Sequence, residues 1–191
     1  MPSNTRDAQT IAHKVVITTD GACVGNPGPG GWACILRFDG FVREMYGSEP
    51  ETTNNRMELR AAIEGLGALK KAPCEITLIT DSQYVSKGVT EWLPQRKARG
   101  WKKKTKGYSG TKAVVNQDLW MELDELAQKH RIRWEWVRGH GSHEDNLRCD
   151  FLAERAAREQ TSSRGSVRKA ADSQQTLRQG IADRSVSSDA K

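Results

Sequence analysis

No apolar run in this chain approaches membrane-spanning length, and the N-terminus, Met1 to Asp7, carries no apolar leader. These absences argue against a membrane span or a secretory leader and leave a cytoplasmic chain with no membrane partner as the expectation. Cysteine is sparse: Cys23, Cys34, Cys74 and Cys149 form no C-x-x-C pair and no tight framework. They read as reduced thiols, as in a cytosolic protein. A second set of apolar periodic segments is also missing, so the 191 residues are expected to form one domain and a tail. Large aliphatic side chains almost disappear near the end. From Glu159 to Lys191 only Val167, Leu177, Ile181 and Val186 remain. Such a stretch buries too little apolar surface to offset its ordering entropy. The expected organisation is a polar lead at 1–12, a domain at 13–158 and a disordered polar tail at 159–191.

What is present is a mild basic excess. The formal charge is +6, and the tail, with six basic and four acidic residues, holds only +2 of it. Such a balance suits a nucleic-acid partner without proving one.

Hydropathy patterning gives the elements. Lys14 to Thr19 reads as a strand ending at Asp20, and Gly21 to Gly31, dense in Gly and Pro, as a loop. Trp32 to Phe38 and Phe41 to Ser48 read as strands joined by the hairpin signal Asp39-Gly40. Asn54 and Asn55 are helix-capping types, and Leu59, Ala62, Ile63, Leu66 and Leu69 behind them form a helical stripe that Pro73 should end. Glu75 to Thr80 reads as a strand ending at Asp81. Short helices are expected at 82–87 and 91–98, a loop at 100–112, a helix at 116–130, a strand at 132–137, a Gly/His loop at 138–143 and an amphipathic helix at 145–158. The order implies a mixed α/β protein, a hairpin-type sheet with helices packed on it.

The carboxylates fall at telling places. Asp20 and Asp81 each follow a β-rich run, at the strand edge where ligand sites form in open α/β sheets. Glu58 borders the stripe of the first long helix. Asp150, three after Leu147 and one before Phe151, is placed beside an apolar face. Buried, isolated carboxylates cost several kcal/mol, and a divalent cation would remove that cost. Hard oxygen ligands select Mg²⁺ or Mn²⁺ over zinc. Two such ions about 3.5–4 Å apart can activate water and stabilise a leaving oxygen in phosphoryl displacement. Strand-end Asp residues also make turns and cap helices, and spacing alone does not bring the four acids together.

The segments around the acids are more specific. Asp20 lies in T-T-D-G-A-C-V-G-N-P-G-P-G-G-W-A, Glu58 in T-T-N-N-R-M-E-L-R-A-A-I, Asp81 in I-T-D-S-Q-Y-V and Asp150 in R-G-H-G-S-H-E-D-N-L-R-C-D-F-L-A. In this order, from about residue 13 to residue 158, the chain resembles bacterial-type ribonuclease HI. The resemblance implies an α/β ribonuclease H-like fold, a five-stranded mixed sheet flanked by helices. It implies an endonuclease that hydrolyses the RNA strand of RNA–DNA hybrids, leaving 5′-phosphate and 3′-hydroxyl ends, with two Mg²⁺ ions (or Mn²⁺) per site when substrate is bound. Asp20, Glu58, Asp81 and Asp150 would be the metal-binding catalytic carboxylates. His140 would be the loop histidine that assists proton transfer or product release. Gly21, Cys23, Asn26, Asn54 and Gln83 would line the minor groove and sense 2′-hydroxyls, the feature that separates RNA from DNA. Thr53 and Asn116 would form a pocket for a DNA-strand phosphate, and Trp92 would lie near that strand. The partner is an RNA–DNA hybrid, and a monomer is expected.

Other features have plainer readings. The run Gly25 to Gly31 lacks the Lys-Ser/Thr of a phosphate-binding loop and no G-x-G-x-x-G precedes a helix, so it reads as a tight connection. His140, His143 and Cys149 lack a well-placed fourth ligand for zinc. His143 is expected to organise its loop, and His13 and His130 to lie on the surface. Residues 91–112 hold eight cations, Lys97, Arg99 and Lys102 among them, against the single acid Glu91, with Trp92, Trp101 and Tyr108 interleaved. A solvated charge run is the common meaning of such a segment, but this excess with aromatics favours phosphate contact. It resembles the family's basic protrusion, with two departures. Arg96 stands where members often carry tryptophan, and the stretch from Trp101 to Trp120 has extra residues near Lys104 to Thr111. Trp120, Trp134 and Trp136 read as core or sheet residues. A non-catalytic hybrid-binding module and a DNA-cutting nuclease of the same fold are the competing readings. Four acids repel phosphate without metals, which disfavours the first. The usual need for further domains disfavours the second.

Overall fold

The computed structural model describes residues 14–104 and 111–162. Strands β1 (Lys14–Cys23), β2 (Gly28–Phe38) and β3 (Phe41–Thr52) form an antiparallel meander. Asp39 and Gly40 close its second hairpin with φ of 47° and 77°, the two left-handed positions of a type I′ turn. After α1 (Asn54–Gly67), strand β4 (Glu75–Thr80) lies parallel to β1. The chain then winds through α2 (Gln83–Lys87), one π turn at Gly88–Trp92 and α3 (Leu93–Ala98). Short strands β5 (Lys102–Lys104) and β6 (Thr111–Ala113) pair as an antiparallel ribbon. Helix α4 (Gln117–Ala127), strand β7 (Arg131–Trp136), parallel to β4, and α5 (Glu144–Ser162) complete the described chain. The main sheet has five strands in the order β3-β2-β1-β4-β7. It is the expected mixed sheet flanked by helices.

The sheet divides two cores. On one face α1 and α4 bury Met57, Leu59, Leu66, Leu119, Trp120 and Leu123 against Ile17, Leu36, Ile76 and Leu78. On the other face α5 packs Cys149, Leu152 and Ala153 against Ala33 and Ile35. Polar clamps hold α5 to β2 and β3. Arg37 donates twice to Asp145, both at 2.6 Å, and Arg148 twice to Glu44, both at 2.9 Å. Such bidentate pairs add orientation to attraction.

Several boundaries differ from expectation. The Gly/Pro-rich stretch is not a long loop: β1 runs on to Cys23 and β2 begins at Gly28, with Cys23 opposite Gly30. Helix α1 ends at Gly67, well before Pro73, although Ala68 and Leu69 still pack on the core. The Lys-rich segment is partly strand. Its strands are Lys-Lys-Lys and Thr-Lys-Ala, with no apolar alternation, so hydropathy gave no signal. Helix α5 continues past Arg158 to Ser162, because Gln160 is buried and accepts a hydrogen bond from Ser48 Oγ at 2.9 Å. The tail beyond residue 162, His13 and Tyr108 lie outside the described residues. His130 is not a bare surface residue. The backbone N–H of Cys74 donates to its Nδ1 at 3.2 Å. All four cysteines are free thiols. Among the described residues no helix is long and apolar enough to cross a membrane.

Candidate active site

The site forms where the parallel pairing of β1 and β4 stops. The last pair in register is Thr19 with Thr80. One residue on, β1 continues against β2 with Asp20 opposite Ala33, whereas the chain at Asp81 leaves the sheet toward α2. Asp20 is thus inside its strand rather than at its end, yet it sits at the edge of the parallel pairing, where ligand crevices open. Helix α1 crosses β1 closely. The Gly21 position leaves no room for a Cβ against the backbone of Met57 and Glu58. That contact brings Glu58 to Asp20. One carboxylate oxygen from each of Asp20, Glu58 and Asp81 lies within 4.8 Å of the other two.

This trio is costly as a set of bare anions. Asp20 and Glu58 are both buried. Burial first, and the Asp81 charge second, push Asp20 from 3.8 up to about 8. Burial, then the charges of Asp20 and Asp81, raise Glu58 well above the carboxylate range. Glu58 Oε1 accepts from Asn54 Nδ2 at 3.3 Å, but its buried Oε2 has no hydrogen-bond partner among the described residues. An orphaned buried carboxylate oxygen among three converging acids fits a divalent cation with hard-oxygen preference. The Asp81 end is held by Trp136, whose Nε1 donates to the Asp81 carbonyl at 2.8 Å.

Asp150 stands beside the trio rather than within it. Its Oδ2 is 3.5 Å from His140 Nδ1, and its carboxyl is raised chiefly by burial, with His140 acting against the rise. The apolar face that places it is not the expected one. Leu147 and Phe151 are exposed, and Cys149, Leu152 and Ala153 are the buried neighbours. His140 lies in a left-handed turn with φ 52° and its side chain is 83% exposed. His143 caps α5, accepting from the Asn146 amide on Nδ1 at 3.3 Å. Glu154, one turn beyond Asp150 on α5, raises both Asp20 and Asp150 through its charge. It was not singled out in the sequence, although its i+4 spacing from Asp150 was a usable signal.

The remaining candidates fall in three places. Near the trio, Gly21 N donates to Asp20 Oδ1 at 2.7 Å, and Cys23 Sγ faces the carbonyls of Gly28 and Thr52 at 3.5 and 3.6 Å. Asn26 Oδ1 accepts from the Asn54 amide at 3.3 Å, and Gln83 accepts from Lys87 at 3.1 Å. At the helix starts, Thr53 and Asn116 are the N-caps of α1 and α4, neither with a side-chain capping bond. Arg56, also unforeseen, ties those two starts by donating to both oxygens of Asp118 at 3.1 and 2.8 Å. Asn116 Nδ2 donates to Tyr84 OH at 3.2 Å. On the protrusion, Trp92 and Arg99 line an open groove. Lys97 instead pairs with Asp124 at 2.7 Å, and Trp101 packs against the main core.

Fold and site together define an RNase H-like α/β enzyme architecture, with an acid cluster at the mouth of a mixed sheet. The RNase H family model matches residues 12–158. A ribonuclease H of Solibacter usitatus is 55% identical over 150 residues, covering 78% of this chain and 99% of that one. A ribonuclease HI of Pseudomonas aeruginosa is 54% identical over 150 residues, covering 78% and 97%. Among solved structures, LC9-RNase H1, a type 1 RNase H with the type 2 active-site motif, superposes with a TM-score of 0.70 at 33% identity, covering 90% of this chain and 84% of that one. The N-terminal RNase H domain of a Mycobacterium tuberculosis protein gives 0.59 at 28%, covering 80% and 100%. LC11-RNase H1, solved in complex with an RNA/DNA hybrid, gives 0.56 at 21%, covering 77% and 99%, which supports the fold. The chain belongs to the RNase H family and is of the bacterial ribonuclease HI type.

Proposed function

We propose that this enzyme hydrolyses the RNA strand of RNA–DNA hybrids, leaving 5′-phosphate and 3′-hydroxyl ends. The observation that carries the reading is the convergence of Asp20, Glu58 and Asp81 oxygens within 4.8 Å around a buried, unpartnered Glu58 Oε2. Asp20, Glu58, Asp81 and Asp150 would hold the cations. Two Mg²⁺ ions, or Mn²⁺, bound with substrate would activate a water and stabilise the departing 3′-oxygen. In the hydrolysis the water oxygen bonds to phosphorus, the bond from phosphorus to the 3′-oxygen breaks, and that oxygen takes up a proton. Asn54 orients Glu58 through its Oε1. His140, exposed and beside Asp150, is suited to moving a proton between site and solvent. Gly21, Cys23, Asn26, Asn54 and Gln83 flank the carboxylates with short polar groups fit for reading 2′-hydroxyls. Thr53 and Asn116 offer two helix starts to a phosphate. Every group in this account comes from one chain, so a monomer suffices, and a cytoplasmic location accords with free thiols.

One assay tests the reading: cleavage of labelled hybrid, duplex DNA and duplex RNA under Mg²⁺ by the wild type and by Asp20→Asn. Cutting confined to the RNA of the hybrid, abolished by the substitution and by EDTA, is expected. Wild-type-like turnover by Asp20→Asn, or equal cutting of duplex DNA, would sink it.

A further inference from the structure

Arg96, unlike the Lys97 beside it, pairs with no acid among the described residues. Lys97, the next residue, gives its Nζ to Asp124 at 2.7 Å, and Arg60 pairs with Glu122 at 3.3 Å. Among the described residues no carboxylate or carbonyl accepts a hydrogen bond from the Arg96 guanidinium, and its Nη1 is buried without a partner. Aromatic rings hold it instead. Its Cζ lies 4.9 Å from the centroid of Trp92 and 5.2 Å from that of Trp120. Trp120 is wholly buried, and its Nε1 donates to Tyr84 OH at 3.1 Å. Trp92 meets the Tyr84 ring edge-on at 5.8 Å. A guanidinium stacked in this way keeps its full charge and its in-plane donors while losing rotamer freedom. Arg96 also lines a groove of about 530 Å³ with Trp92, Arg99, Lys102 and Asn55, and among the described residues no carboxylate lines that groove. The groove reaches Asn55, one turn before Glu58 on α1.

We propose that Arg96 is a pre-positioned seat for a backbone phosphate of the bound duplex, a substrate-binding residue that the tryptophans hold in place. The proposal rests on the hybrid-cleaving reading above. Stacking leaves an unneutralised cation aimed by its neighbours rather than by an ion pair, so binding a phosphate breaks no existing salt bridge. With Nη1 buried, the guanidinium edge that carries Nε and Nη2 is the one left to meet two phosphate oxygens. A lysine supplies the charge without the stacking or the fork, and a glutamine supplies neither charge nor fork.

The test measures equilibrium binding of a labelled RNA–DNA hybrid by anisotropy in EDTA, where no cutting occurs, across a series of salt concentrations. Loss of one phosphate contact in Arg96→Gln should flatten the slope of log affinity against log salt by about 0.7–0.9 and weaken binding roughly tenfold near 0.1 M salt. Arg96→Lys should restore the slope but only part of the affinity. In turnover under Mg²⁺ the loss should fall on KM rather than kcat. Thermal melts of each variant report the fold. An Arg96→Gln slope equal to that of the wild type overturns the proposal, whether affinity is kept or falls, because a packing role changes affinity without changing the number of neutralised phosphates. Wild-type protein that binds the hybrid yet never cuts it overturns the hydrolytic reading and leaves the Arg96 seat standing. Wild-type protein that does not bind the hybrid overturns both.

Discussion

Gly21 lies directly against the backbone of Glu58: a Cβ at residue 21 would overlap the Glu58 amide nitrogen and the Met57 carbonyl carbon. The strand carrying Asp20 and the helix carrying Glu58 therefore meet backbone to backbone, which is how two acids from distant parts of the chain come within 4.8 Å of each other. Gly21→Ala must separate β1 from α1. Overpacking of this kind costs about 1–3 kcal/mol. The expected outcome is a loss of that size in urea unfolding together with at least a hundredfold fall in activity. Full activity in a destabilised variant would show that the spacing of Asp20 and Glu58 is not critical.

The acids also fix a pH dependence of the cation-free protein. The Asp20 carboxyl is raised from 3.8 to about 8, so the folded state holds a proton that the unfolded chain releases at lower pH. Its contribution is fully present below the unfolded value and is lost as pH rises through about 8. In EDTA the melting temperature should fall between pH 5 and 9. Asp20→Asn should flatten that fall and leave the protein more stable than the wild type at pH 9. Added Mg²⁺ should reverse the wild-type loss, because the cation replaces the proton. Calorimetric melts across this range check the sign. A wild-type melting temperature that rises with pH in EDTA would contradict it.

Much of this arrangement is legible in the sequence. The stripe of α1, the Asp39-Gly40 turn and the β-rich runs before Asp20 and Asp81 carried their own periodicity, and the structure keeps them. What periodicity missed has physical reasons. Residues 28–31 hold no large side chain, so they read as loop although they pair with β1 and β3. The ribbon of β5 and β6 alternates no apolar residues. The π turn at Gly88–Trp92 has no residue pattern that distinguishes it from an α-helix. The convergence of three acids depends on the close crossing at Gly21, a tertiary contact that spacing does not encode. The offset position of Asp150 follows from which face of α5 is buried, and the exposed Leu147 and Phe151 pointed to the wrong one.

His140 offers a kinetic test. Its side chain is mostly in solvent and meets the site at Asp150, 3.5 Å away. A proton carrier in that position acts on turnover and little on substrate affinity. His140→Ala should lower kcat by about 10²-fold, the lower end for general acid–base assistance, with KM nearly unchanged. Steady-state kinetics on a hybrid substrate at neutral pH checks this. A rise in KM at constant kcat would make His140 a binding residue instead.

The end of α5 separates two truncations that composition alone treats alike. Beyond Ser162 the chain has few apolar residues with which to build a core. Within the last turn, however, Gln160 is buried and takes the Ser48 hydroxyl hydrogen bond at 2.9 Å, tying the helix end to β3. A chain stopped after Ser162 should match the full chain in stability and in hybrid cleavage. A chain stopped after Arg158 removes that hydrogen bond and a helical turn, and should unfold more easily by about 1–2 kcal/mol. Its carboxylates are untouched, so kcat at low temperature should be preserved. Denaturant unfolding of the three lengths, beside hybrid cleavage, decides it. A stability step between Ser162 and Lys191 would assign a structural role to the tail. A loss of hybrid affinity in that step at constant stability would make the tail an arm that grips substrate.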